Sequence, residues 1–250
     1  MSGHNKWSTI KNKKARTDEK KGKEYTRIAK EIILAARSGG GDPEANSKLR
    51  LAIQKAKAVN MPNDNISRAI KRGTGEIESD AIEEIKYEGY TAGGAAILLD
   101  IATDNRNRTA SDIRHLFAKY GGNLGESGCV AYLFDRVGLI VINREDIKTD
   151  EEEFMLMAIE YGADDVREAD DTLEIITSPD AFMEVRDRLE KEIRIEDADI
   201  VMLPQTTVEI ADEATAQKIL KLVDTLEDHD DVQNLYSNFS IADELMEKLM

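Results

Sequence analysis

The segment that decides the fold runs from Gly138 to Leu203. It reads GLIVIN (138–143), EEEFMLMAIEYG (151–162), DDVREAD (164–170), TLEIITS (172–178), DAFMEVRDRLEKE (180–192) and ADIVML (198–203). The first, third, fourth and sixth pieces have strand length and are bounded by turn residues. The second and fifth carry their apolar residues at helical spacing. The order is therefore β-α-β-β-α-β, the split unit of a ferredoxin-like domain.

Working outward, the flanks supply a second α+β set. Upstream lie the strands EEIKYEGY (83–90) and AAILLDIAT (95–103), joined by the hairpin connection TAGG (91–94). A helix, TASDIRHLFAKYG (109–121), and an apolar run expected to be a strand, CVAYLF (129–134), follow. Downstream come TTVEIA (206–211), a helix (213–228) and the strand DVQNLYSNF (231–239). These pieces are expected to join across the 138–203 unit, which makes that unit an insertion.

Before GTGEIESDA (73–81) the pattern is purely helical. Tyr25, Ile28, Ala29, Ile32, Ile33 and Ala36 fall on one stripe, and Gly39 to Gly41 stop that helix. Asp42-Pro43 reads as the start of a second helix, with Leu49, Ala52, Ile53 and Ala56 facing inward. A third runs from about Asn63 to Arg72 over Ile66, Ala69 and Ile70, ended by Gly73. The expected fold class is α+β: a helical N-terminal domain followed by two α+β (ferredoxin-like) domains, one inserted into the other. The boundaries read as 1–78, then 79–135 together with 205–240, with 136–204 inserted.

Charge is distributed unevenly along the 250 residues, whose net charge is −16. Residues 1–75 carry a net +11 and residues 76–250 a net −27. A basic headpiece on an acidic body points to a polyanionic partner. Lys6, Lys11, Lys13, Lys14, Arg16, Lys20, Lys21, Lys23 and Arg27 supply phosphate-seeking charge, and Trp7 offers an indole for stacking. Lys48, Arg50, Lys55, Lys57, Arg68, Lys71 and Arg72 continue the pattern. Residues before about Lys20 have few apolar anchors and read as an arm that orders on its partner. The partner class is nucleic acid, DNA or ribosomal RNA; charge alone does not separate the two.

Other chemistries find little footing. SGGGD (38–42) and GGNLGESG (121–128) each follow a helix, whereas phosphate-cradling fingerprints follow a strand. His4, His115 and His229 have no Cys or His at ligand spacing, so no metal or other cofactor is expected; His115 is expected as a partly buried helix residue. Cys129, the one cysteine, is expected to open a strand and to pack there. The acidic clusters at 150–153, 168–171, 196–199 and 227–231 read as solvated surface, and no base–nucleophile pair is visible, so an enzyme is not expected. The stretch TDNRNRTASDIR (Thr103 to Arg114) carries two readings. Arg106 and Arg108, in the connection before a helix beginning near Thr109, form an anion site, or they pair with local acids while Asn105, Asn107 and Thr109 turn and cap the chain. No apolar run approaches the roughly 18 residues of a membrane span, no secretory signal is expected, and the cytosol is the expected compartment.

The stretches GHNKWSTIKNKKARTDEKKGKEYTRIAKEI (3–32), GGGDPEANSKLRLAIQKAKAVNMPNDNISRAIKRGTG (39–75) and TDNRNRTASDIRHLFAKYGGNLGESGCVAYLF (103–134) closely resemble the YebC/PmpR family of regulators. The resemblance covers essentially the whole chain. It implies a cytosolic protein with a helical N-terminal domain and two α+β domains. It further implies a DNA-binding transcriptional regulator, with relatives that act instead in translation at stalled ribosomes. Asn12 stands where a histidine is frequent and Tyr25 where a phenylalanine is frequent.

Overall fold

The computed structural model describes residues 18–78, 81–169 and 171–249. Within them the chain divides into two compact units. One is Phe134–Gln205; the other takes the described residues up to Leu133 and from Thr206 onward.

The larger unit begins with three helices, α1 (Asp18–Gly39), α2 (Ser47–Ala58) and α3 (Asn63–Gly73). Ile28, Ile32 and Ile33 of α1 meet Leu49, Ala52 and Ala56 of α2 and Ile66 and Ala69 of α3 in one buried cluster. Gly40, at φ +86°, ends α1 in the left-handed region that glycine enters freely. The second helix starts later than Asp42-Pro43 suggests. Asp42 organises a turn, its Oδ1 accepting from the Glu44 N–H, and Asn46 is the true N-cap. The Asn46 side chain is buried and uses three groups at once. Its Oδ1 accepts from the Leu49 N–H (3.1 Å), and its Nδ2 donates to the carbonyls of Ala35 (2.8 Å) and Gly40 (2.9 Å). The amide that starts α2 therefore also holds the end of α1. Gly73 serves a different purpose from a helix stop: a Cβ there would lie 2.5 Å from the Ile33 carbonyl oxygen and 2.7 Å from the Ala36 Cβ. It is the point where α3 touches α1.

The same unit continues with β1 (Glu83–Tyr90), β2 (Ala96–Thr103), α4 (Arg106–Lys119) and β3 (Asn123–Leu124). After the insertion it resumes with β8 (Val208–Ile210), α7 (Glu213–Glu227), β9 (Val232–Ser237), β10 (Phe239–Ile241) and α8 (Asp243–Leu249). Its main sheet has the order β3-β1-β2-β9. β2 sits in the middle, antiparallel to both neighbours, and β9 pairs with it from Ile97↔Ser237 to Ile101↔Val232. Strands on either side of the insertion thus complete one sheet, over a core that includes Ile113 and Phe117 of α4 and Ile219, Val223 and Leu226 of α7.

Three local expectations fail here. CVAYLF (129–134) is not a strand: residues 131–133 form a 3-10 turn and the strand begins only at Phe134. The cause is Glu88, a buried carboxylate on β1 that accepts the N–H groups of Gly128 (2.6 Å), Val130 (2.7 Å) and Ala131 (2.8 Å). Those donors are unavailable to a strand ladder, so Cys129 sits half-buried in a turn. Also, α4 begins at Arg106, capped by Asn105, so Arg106 and Arg108 lie in its first turn rather than in the connection. His115 is exposed on that helix.

The smaller unit contains β4 (Phe134–Asn143), α5 (Glu151–Glu160), β5 (Asp165–Ala169), β6 (Thr172–Thr177), α6 (Phe182–Leu189) and β7 (Asp197–Pro204). Its sheet order is β5-β6-β4-β7 with every pair antiparallel, the ferredoxin-like arrangement read from the sequence.

Candidate nucleic-acid interface

The basic helix α1 does two different jobs along its length. Lys23, Arg27 and Lys30 are spaced four and three residues apart, which puts them on one face. That face meets the acidic turn Glu227 to Asp231 between α7 and β9. Lys23 Nζ donates to the Asp228 carbonyl at 3.1 Å. Burial pushes the Arg27 guanidinium pKa down, against the opposing pull of Glu227, Asp228 and Asp230. Its Nε is buried without a hydrogen-bond partner among the described residues.

Lys30 is the anchor. Its three ammonium protons go to Asp231 Oδ1 (2.8 Å), the Asp230 carbonyl (2.9 Å) and the Ala102 carbonyl (3.0 Å). Asp231 is the other half of the clamp. Its Oδ2 accepts from Thr109 Oγ1 (2.7 Å), Arg108 Nη2 (3.0 Å) and Thr103 Oγ1 (3.2 Å). Burial alone would raise the Asp231 pKa, but the donors Lys30, Thr109 and Arg108 hold it well below the usual carboxylate range. One carboxylate thereby ties α1, the end of β2, the start of α4 and the entry to β9. The solvated-surface reading of the 227–231 cluster fails at Asp231, which is buried and bonded through both carboxylate oxygens, while Asp228 and Asp230 are exposed.

The second arginine of the 106–108 pair is drawn into this network. Arg108 Nη2 bridges Asp231 and Asp104 (2.9 Å), and both hydrogen bonds raise its pKa. The Asn105 side chain caps α4 by accepting from the Arg108 N–H. Arg106 remains exposed, and its carbonyl accepts a long 3.4 Å bond from the Tyr87 hydroxyl.

The cations without such ties are elsewhere. Arg68, Lys71 and Arg72 lie on one side of α3, all exposed, and among the described residues none of their side chains makes a hydrogen bond or ion pair. Lys48 and Lys57 are exposed on α2, while Lys55 pairs with Glu31 at 2.9 Å and Arg50 is half-buried with its Nε unpartnered. Lys20 and Lys21 fall in the first turn of α1. Lys6, Trp7, Lys11, Lys13, Lys14 and Arg16, and with them the N-terminal arm, lie outside the described residues. An open cleft of about 830 Å³ lies between α1 and the 227–231 turn, and Arg72 reaches its wall beside Lys23 and Lys30. The described residues contain no group of three or more His, Cys, Asp and Glu side chains placed to hold a metal ion.

The Tyr25 hydroxyl, an addition where phenylalanine is frequent, is used. It donates to the Asn60 carbonyl at 2.9 Å, steadying a residue held at φ +60° in the turn between α2 and α3.

Sequence reasoning missed the Lys30–Asp231 clamp and the Glu88-centred turn. Each pairs a charged group with partners at least 40 residues away, and Glu88 stands in EEIKYEGY with two other glutamates and a lysine, so nothing local marks it as the buried one.

Comparison with known proteins agrees with this architecture over most of the chain. The family model described as the TACO1/YebC protein N-terminal domain matches residues 5–76, and that of the TACO1/YebC second and third domain matches residues 82–239. A relative from Syntrophomonas wolfei, named a probable transcriptional regulatory protein, is 64% identical over 251 residues, covering all of both chains. One of the same name from Natranaerobius thermophilus is 56% identical over 99% of each. The crystal structure of a conserved hypothetical protein from Aquifex aeolicus superposes with a TM-score of 0.83 at 49% identity, covering 92% of this chain and 94% of that one. By both sequence and fold, this chain belongs to the TACO1/YebC family.

Proposed function

We propose that the protein is a non-enzymatic regulator of gene expression, working in the cytosol, that binds duplex DNA through its first 75 residues. The observation that carries the reading is the difference between α1's half-buried cations, which face the 227–231 turn, and the exposed trio Arg68, Lys71 and Arg72 on α3, which makes no ion pair among the described residues. The contact set is read as that trio together with Lys6, Lys11, Lys13, Lys14, Arg16, Lys20 and Lys21, all within the net +11 of residues 1–75. The name shared by the S. wolfei and N. thermophilus relatives supports a transcriptional role. The acidic remainder of the chain, net −27, is repelled by the same polyanion and would orient the molecule on it.

Phosphate contacts of this kind release counterions. With about five to eight of them, log affinity falls against log salt with a slope of roughly −0.9 per phosphate. Replacing Arg68, Lys71 and Arg72 with alanine should flatten the slope by two to three such units, and replacing Lys13, Lys14 and Arg16 should do the same. Unchanged salt dependence in both triple variants would refute the assigned surface. A second reading takes ribosomal RNA as the target. It draws on Trp7, the sole indole, set among lysines as a stacking platform for unpaired bases. Sedimentation decides between them: cofractionation with ribosomal subunits at moderate salt favours RNA, and its absence favours DNA.

A further inference from the structure

The inserted unit has a face that its own fold does not explain. On α5 (Glu151–Glu160) the six residues from Phe154 to Ile159 are all apolar. A helix lying on one side of a sheet needs a single apolar stripe, and its outer positions are ordinarily polar. Phe154 and Ala158 fill that stripe and are buried, whereas Leu156 is 66% exposed and Ile159 46% exposed. Three residues apart, these two adjoin on the outer face. They are two of the four large hydrophobic residues exposed among the described residues. Met155 and Met157 flank them, half-buried, with unbranched side chains that can reshape a contact.

The rim of this face has one sign of charge. Glu152, Glu153 and Glu160 are exposed around it and make no ion pair among the described residues. The whole unit, 134–205, holds 22 acidic and eight basic residues, a net charge of −14. A second copy of this face would bring the same carboxylates against it, and nucleic acid would bring phosphates, so both are disfavoured as occupants.

We propose that the outer face of α5 docks a cationic amphipathic helix of a partner protein. The partner's apolar residues seat over Leu156 and Ile159, and its lysines or arginines meet Glu152, Glu153 and Glu160. This is the helix-on-apolar-face mode of recognition with a charged rim setting the sign of the partner. It is independent of the nucleic-acid reading, which concerns residues 1–75.

The test uses the full chain and a labelled synthetic helix of leucine and lysine in amphipathic register, followed by fluorescence anisotropy. A glutamate-for-lysine version of the same peptide serves as comparison. The lysine peptide should bind and the glutamate peptide should not. Leu156→Ser with Ile159→Ser, both at exposed positions, should weaken binding about tenfold or more. Glu152→Gln with Glu153→Gln and Glu160→Gln should weaken it and remove most of its salt dependence. Equal binding of both peptides, or binding unaltered by the serine pair, would overturn the proposal. So would a dimer of the wild-type chain at micromolar concentration that the serine pair abolishes, since the face would then be self-associating.

Discussion

Replacing Lys30 with methionine should cost about 3 kcal/mol at neutral pH. The Lys30 and Asp231 side chains are only 16% and 7% exposed, which sets this pair apart from surface ion pairs worth up to about 1 kcal/mol. Removing one member of a buried pair costs about 3–5 kcal/mol because the other is left charged and under-solvated. The lower figure applies here because Oδ2 of Asp231 keeps Thr103, Thr109 and Arg108, so only Oδ1 loses its partner. The pH dependence follows in sign. The Asp231 pKa in the folded chain lies below the unfolded value of about 3.9, so the clamp's stabilisation is present above that pH and disappears as acid titrates the folded carboxylate. The penalty of Lys30→Met should therefore shrink below about pH 4. Urea unfolding of the full chain, followed by circular dichroism, measures it. The inserted unit carries neither residue and acts as an internal reference, so its transition should stay in place. In a double-mutant cycle with Asp231→Asn, the coupling should exceed about 1 kcal/mol. A penalty under about 1 kcal/mol for Lys30→Met, with no coupling, would refute the idea that this pair fastens α1 to the sheet.

Three further outcomes are expected. Glu88→Gln should lower stability by about 2 kcal/mol, since one carboxylate with three backbone donors becomes an amide whose NH₂ faces donors; because those bonds depress the Glu88 pKa despite burial, the difference from wild type should narrow on acidification, as thermal melts at pH 7 and pH 4 would reveal. Asn46→Ala should cost about 2 kcal/mol in chemical denaturation, more than an ordinary N-cap, because two carbonyls at the end of α1 lose their donor as well; a loss of a few tenths would mean water replaces all three bonds. Gly73→Ala should destabilise by about 1–3 kcal/mol through its clash with Ile33 and Ala36 rather than through backbone strain; a gain in stability would show that α3 can shift away freely.

The parts of the fold that were readable are those fixed by short-range pattern. Alternating strands and helices between Gly138 and Leu203 gave the correct element order, and the stripe from Tyr25 to Ala36 gave the correct buried face of α1. Errors arose where a side chain from a distant segment competed for backbone donors. CVAYLF has every local mark of a strand, yet Glu88 claims the amides of residues 128, 130 and 131. The start of α2 was misplaced for a more local reason. Asp42-Pro43 and Asn46 are both good start signals, and the carbonyls of Ala35 and Gly40, which favour Asn46, come from the preceding helix end. In the candidate interface, the wealth of lysine was visible but its division of labour was not. Lys23, Arg27 and Lys30 look no different in sequence from Arg68, Lys71 and Arg72. Only the folding of a turn some 200 residues later against α1 commits the first set to internal contacts.

The way the inserted unit is attached has a consequence for how such a chain can change. Phe134, where β4 begins, is the cross-strand partner of Pro204, where β7 ends. Opposed residues of an antiparallel pair stand about 5 Å apart, so roughly seventy residues leave and return through one doorway. A chain spliced from Leu133 to Gln205 by a few small residues would still deliver β9 to its place beside β2. Genes can therefore lengthen, exchange or delete the acidic module without rewriting the scaffold that carries the basic helices.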